Sequence, residues 1–138
     1  MRPCNKMLLV FTSTFFATNV VMGLWLKHYL YAALFALLTC TSVLHHSSYG
    51  SDTVKTVDRF ACLSVVAYGA YQATGMFDSL TLPNVILLAC FLFCVVAYEY
   101  GGRTQQYCFD ANPFIATFYH AWMHLCGSVG HHFIMLQS

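Results

Sequence analysis

The sequence predicts an all-α integral membrane protein, a helical bundle of about five transmembrane helices with its N-terminus on the cytoplasmic side. Three observations predict it. Of 138 residues, 59% are hydrophobic and 8% charged, with six Lys/Arg against five Asp/Glu; a soluble domain carries about a quarter charged residues. The apolar residues fall into five runs, each near the ~20 residues that cross a bilayer. The basic residues then sort almost entirely to one side of those runs. The same arithmetic excludes an ordinary soluble domain and an intrinsically disordered chain. A formal net charge of +1 also excludes a nucleic-acid binder working through a basic field.

The first run, residues 7–26, carries no charge. It follows Arg2 and Lys6 like a signal peptide, but it continues well past a short apolar core, which favours an anchor. The second run covers 29–46 and the third 57–76. Asp78-Ser79 through Pro83-Asn84 is a turn signal, and the fourth run follows at 85–100. Gly101-Gly102 and a polar stretch to Asp110 break the chain. The fifth run occupies 113–136 and opens on Pro113, a favourable first helical position. All of this forms a single transmembrane domain, with no repeat or low-complexity segment.

Five spans put Arg2, Lys6, Lys55, Arg59 and Arg103 on one side and Lys27 alone on the other. By the positive-inside rule the first side is cytoplasmic. Trp25, Tyr29, Tyr31, Tyr98 and Tyr100 fit an interfacial aromatic belt, and Glu99 fits a solvated end charge. Seven cysteines are an odd count. Most lie inside apolar runs, where free Cys behaves as a small buried hydrophobe. Cys4 and Cys108 lie outside the runs, as candidates for palmitoylation.

Metal-binding or ionisable residues at membrane depth are costly and so are functional candidates. Six of the seven histidines form two clusters, His45-His46 and His120, His124, His131, His132. His120 and His124 share one helical face, and a His-x-x-x-His pair can present two imidazoles to one metal. His46 ends the second helix, Asp58 begins the third, and His120 and His124 lie in the first half of the fifth. All three places fall on one membrane side, so three histidines and a carboxylate can converge near the cytoplasmic face. Ser42, one turn before His46, points its hydroxyl into the same layer. Three His would leave a tetrahedral Zn²⁺ one open position for water, whose pKa the ion would lower towards about 7. His131 and His132 lie about 10 Å or more further along the helix, too deep to share that metal.

Ser42-x-x-x-His46, Asp58, then His120-x-x-x-His124 resembles the signature of the CREST superfamily of membrane hydrolases. Leu44-His45-His46 resembles its myomaker branch, and Tyr119-His120-Ala121-Trp122-Met123-His124 resembles alkaline ceramidases. Gly127-Ser128-Val129-Gly130 is similar to its GPI-phospholipase branch. The resemblance implies His46, His120 and His124 as Zn²⁺ ligands, Asp58 as general base, and Ser42 as a donor to the oxyanion or an orienting group. It implies a membrane lipid substrate, a sphingolipid or glycerophospholipid, in an endomembrane or plasma membrane. The family has seven spans and this chain has room for five. Losing two helices between the Asp and His-x-x-x-His helices preserves sidedness but removes cavity walls, which a homo-oligomer could restore. His45 remains an alternative to His46.

Bland readings stand beside these. Asp58 can pair with Arg59 or Lys55 at the interface, and Ser42 can bond its own backbone or a neighbouring helix. Two further functions remain open: a receptor-like or membrane-remodelling member with structural zinc, and a bis-His haem or metal-transport bundle using His45 or His46 with His131 or His132.

Overall fold

The computed structural model describes residues 6–47 and 51–138. It is all-helical, with no strand among the described residues. The chain runs α1 (Lys6–Ser13), α2 (Phe16–Trp25), α3 (Tyr29–His46), α4 (Asp52–Gln72), α5 (Leu82–Val95), α6 (Gly101–Thr104) and α7 (Pro113–Gln137). A π-helical turn, Val96–Tyr100, joins α5 to α6.

The first apolar run is two helices rather than one. Thr12, Ser13, Thr14 and Thr18 all turn their hydroxyls back onto carbonyls three or four residues earlier, a bonding pattern that bends helices. Backbone amides at Thr14, Phe15, Ala17 and Thr18 likewise reach carbonyls three residues back, so the chain tightens between α1 and α2. α3 has the expected bounds. α4 starts earlier than its apolar run because Ser51 caps it, accepting from the Val54 amide at 3.2 Å. Asp58 therefore lies in the second turn of α4 and does not begin it. The turn between α4 and α5 is stitched by the Asn84 amide, which donates to the carbonyls of Met76 and Ser79.

Gly101-Gly102 does not end the fourth run. Helix continues through both glycines and stops at Gln105, which adopts a left-handed φ of 56°. Gly101 is required by close approach: a β-carbon there would lie 2.6 Å from the Gln106 carbonyl oxygen. α7 opens as the sequence suggests, on Pro113, with the Asn112 side chain accepting from Phe114 at 3.0 Å.

The Lys6–Trp25 segment, Tyr29–His46 and Leu82–Thr104 are long and apolar enough to cross a membrane. α4 and α7 are long enough but less apolar, because α4 carries Asp52, Lys55, Asp58 and Arg59 and α7 carries four histidines. The surface is consistent with a bilayer. Met7, Trp25, Leu80 and Phe114 are exposed, while Thr12, Ser13, Asn19, Ser42 and Ser128 are buried. Trp25, Tyr29 and Tyr100 are exposed as a belt requires, but Tyr31 is 0% exposed and belongs to the core. Its face of α3 packs on Phe35 and on an imidazole of α7. That corrects the belt assignment for Tyr31.

α3 is the central helix, packed against α1, α2 and α4; α7 packs against α1, α2 and α5. Phe16, Tyr31, Phe35, Leu38, Val65, Leu87 and Ile134 form the core they share. This arrangement brings the C-terminal end of α3 against the first half of α7.

Candidate metal centre

His46 is the last residue of α3, and His120 and His124 are one turn apart on α7. The three rings meet face to edge: centroids are 4.8 Å apart for His46–His120, 5.2 Å for His46–His124 and 4.8 Å for His120–His124. One ring nitrogen from each lies within 4.8 Å of the others, so these three side chains could hold a metal ion. Their environment suits that role. His46 and His124 are 8% and 5% exposed, and neutral imidazole is the form that binds metals.

The fit can be tested on the donor set. A tetrahedral ion with ~2.0–2.1 Å bonds places its nitrogens about 3.3 Å apart. The observed spread of up to 4.8 Å needs a closure of about 1.5 Å, within reach of small side-chain rotations. Three neutral imidazoles suit zinc, and equally copper, nickel or iron.

α1 supplies a partner that the motif reading missed. Thr12 Oγ1 lies 3.0 Å from His124 Nδ1 and donates its proton to the Leu9 carbonyl at 3.2 Å. With its own proton on Leu9, Thr12 can accept from an Nδ1–H of His124, the tautomer that leaves Nε2 the lone pair a metal needs. The signal in the sequence is three consecutive hydroxyl residues, Thr12, Ser13 and Thr14, inside the first apolar run.

The other predicted site residues lie outside that three-histidine group. Ser42 is buried and lies 3.0 Å from Ser13 Oγ, which itself donates to the Leu9 carbonyl at 2.8 Å. Ser42 is therefore the donor in that pair. Asp58 Oδ1 accepts from Thr41 Oγ1 at 2.9 Å, tying α4 to α3. His45 stacks beside His46 with centroids 4.7 Å apart, and its buried Nδ1 has no hydrogen-bond partner. His131 bonds the Tyr31 hydroxyl at 3.0 Å, and His132 donates to the Ser128 carbonyl at 2.7 Å.

Of the palmitoylation candidates, Cys4 lies outside the described residues. Cys108 is half-buried, and burial pushes its thiol up to about 11, which keeps it in the unreactive protonated form.

Fold and site together define a class: an all-helical chain with membrane-length apolar helices and a three-histidine cluster able to hold a metal. No known protein family, curated protein or solved structure matches the chain.

Proposed function

We propose that this chain is a zinc-dependent integral-membrane lipid hydrolase, related to the CREST superfamily and built as a five-span bundle with a cytoplasmic N-terminus. One observation carries the reading. Three histidines from opposite ends of the sequence meet at one layer of the bundle, and they are the three that the resemblance to that superfamily singles out. The five-to-one division of basic residues supports the orientation, and α4 and α7 complete the five spans.

In this reading His46, His120 and His124 hold the ion, and Thr12 keeps the His124 tautomer. A bound Zn²⁺ supplies Lewis-acid polarisation of a carbonyl and acidification of water. Asp58, giving up its bond to Thr41, would take a proton from the attacking water and pass it to the amine or alcohol that departs as the C–N or C–O bond breaks. Ser42 turns its proton from Ser13 to the oxygen on which negative charge develops. The substrate is an amide or ester of a sphingolipid or glycerophospholipid, with its carbonyl at the cytoplasmic layer. The test is metal analysis of purified protein together with a lipid panel. We expect about one Zn²⁺ per chain and release of fatty acid or sphingoid base; an absence of metal overturns the reading.

A second reading is favoured by the bonds just described. With Ser42 on Ser13 and Asp58 on Thr41, the cluster can hold zinc structurally in a receptor-like or membrane-remodelling protein. Metal without release from any lipid in the panel selects it.

A further inference from the structure

The bundle is open between α4 and α5. α4 packs along α3 and α5 along α7, and only a light contact of α4 with α7 closes the inner end of the gap. The result is a cavity of about 390 Å³ walled by α4, α5 and α7. Small residues make the room, including Gly69 and Ala70 on α4, Ala73 just after it, and Gly130 on α7. None of the three clustered histidines lines it. The histidine that does, His131, is seven residues beyond His124, about 10 Å along the helix.

Size decides what can enter. The cavity falls within the ~300–1,000 Å³ range of small-molecule sites. Its wall is almost wholly apolar, which keeps such spaces dry. In a bilayer the abundant filler of that shape is a hydrocarbon chain.

The polar end decides what the chain must carry. Thr74 is on the wall, but its hydroxyl is spent on the Tyr71 carbonyl at 2.6 Å. That leaves His131. The Tyr31 hydroxyl, on a fully buried side chain, lies 3.0 Å from His131 Nδ1. A buried phenol needs an acceptor. Nδ1 then holds a lone pair and Nε2 carries the proton. The ring is seated against bare backbone: a β-carbon on Gly69 would meet His131 Cε1 at 2.3 Å. No Lys or Arg lines the cavity, so a carboxylate there would be a buried unpaired charge. A neutral carbonyl oxygen is the matching acceptor.

We propose that this cavity is a lipid site separate from the histidine cluster. It takes one hydrocarbon chain bearing a neutral carbonyl, with His131 Nε2–H as the anchoring donor and Tyr31 fixing its tautomer. The site stands or falls independently of any metal.

The test uses the full chain in vesicles of diether phosphatidylcholine, whose own chains carry no carbonyl. Two photoreactive probes are compared: the methyl ester of a diazirine-bearing palmitic acid, and a diazirine-bearing hexadecane. The ester should label the Gly69–Ala73 and Cys90–Cys94 peptides saturably, roughly tenfold more efficiently than the alkane, as one retained hydrogen bond allows. His131→Phe should bring the ester down to the alkane level, and Ala70→Trp should remove cavity labelling by both. Equal labelling by the two probes in the unmodified protein overturns the carbonyl anchor, whatever the variants do. Labelling of these peptides that does not saturate, or that survives Ala70→Trp in a protein of unchanged helicity, overturns the cavity site.

Discussion

The two halves of α7 carry two histidines each, and their surroundings are opposite. In the second half each imidazole has a protein partner: His131 the Tyr31 hydroxyl, His132 the Ser128 carbonyl. In the first half His120 and His124 turn towards each other and towards His46, and the Thr12 hydroxyl lies 3.0 Å from His124 Nδ1. Polar groups inside a bilayer-spanning bundle ordinarily find protein partners and act as glue between helices. The second half obeys that rule. Three imidazoles that meet ring to ring could instead hold a metal ion, a species that three neutral nitrogens accommodate.

The comparison breaks first at the histidines themselves. His120→Ala or His124→Ala should take bound metal from about one per chain to near zero, measured by elemental analysis of purified protein. His131→Ala should leave metal content unchanged and lower the unfolding temperature instead, because the Tyr31 hydroxyl is left buried without an acceptor at a cost of ~1–3 kcal/mol. If both halves respond alike, the distinction between site and scaffold fails.

Asp58 gives the next largest effect. In the hydrolase reading Asp58→Ala retains metal and loses activity by about a hundredfold or more, the contribution of a positioned general base. Asp58→Asn separates this from the bond to Thr41, since the amide oxygen still accepts from a hydroxyl but takes no proton. Restored activity in Asp58→Asn would remove Asp58 from the chemistry and leave it as a tie between α3 and α4.

How much of this was legible in the sequence follows from which properties are local. The bounds of α3, the start of α7 at Pro113 and the turn around Asp78 to Asn84 are written in hydropathy, Pro and Asn, and the helices follow them. The His-x-x-x-His spacing is likewise local, and topology alone brings it to the end of α3. The bend between α1 and α2 was not legible, because hydroxyls that bond their own backbone leave the apolar run looking continuous. That bend is bonded to the site at two points, Thr12 on His124 and Ser13 on Ser42. Gly101-Gly102 misled in the opposite direction: glycine weakens a helix by only about 1 kcal/mol relative to alanine, and the helix runs through. The burial of Tyr31 and the gap between α4 and α5 depend on how helices pair, which no single segment encodes.

The smallest effect sharpens the comparison most, because it concerns a residue that only the fold connects to the cluster. Thr12→Val removes the oxygen that accepts from His124 Nδ1–H while keeping the side chain's shape. Without it His124 is free to place its proton on Nε2. Metal affinity should weaken by about 10–100-fold, the usual effect of losing a group that orients a metal-binding histidine. Thr12→Ser keeps the oxygen and should bind within a few-fold of the parent. The readout is a competition titration against a chromophoric zinc chelator, with helicity monitored alongside. A purely structural role for Thr12 predicts that valine, which packs well in an apolar helix contact, binds as tightly as serine. The two substitutions therefore separate a hydroxyl that sets a tautomer from one that merely fills space between α1 and α7.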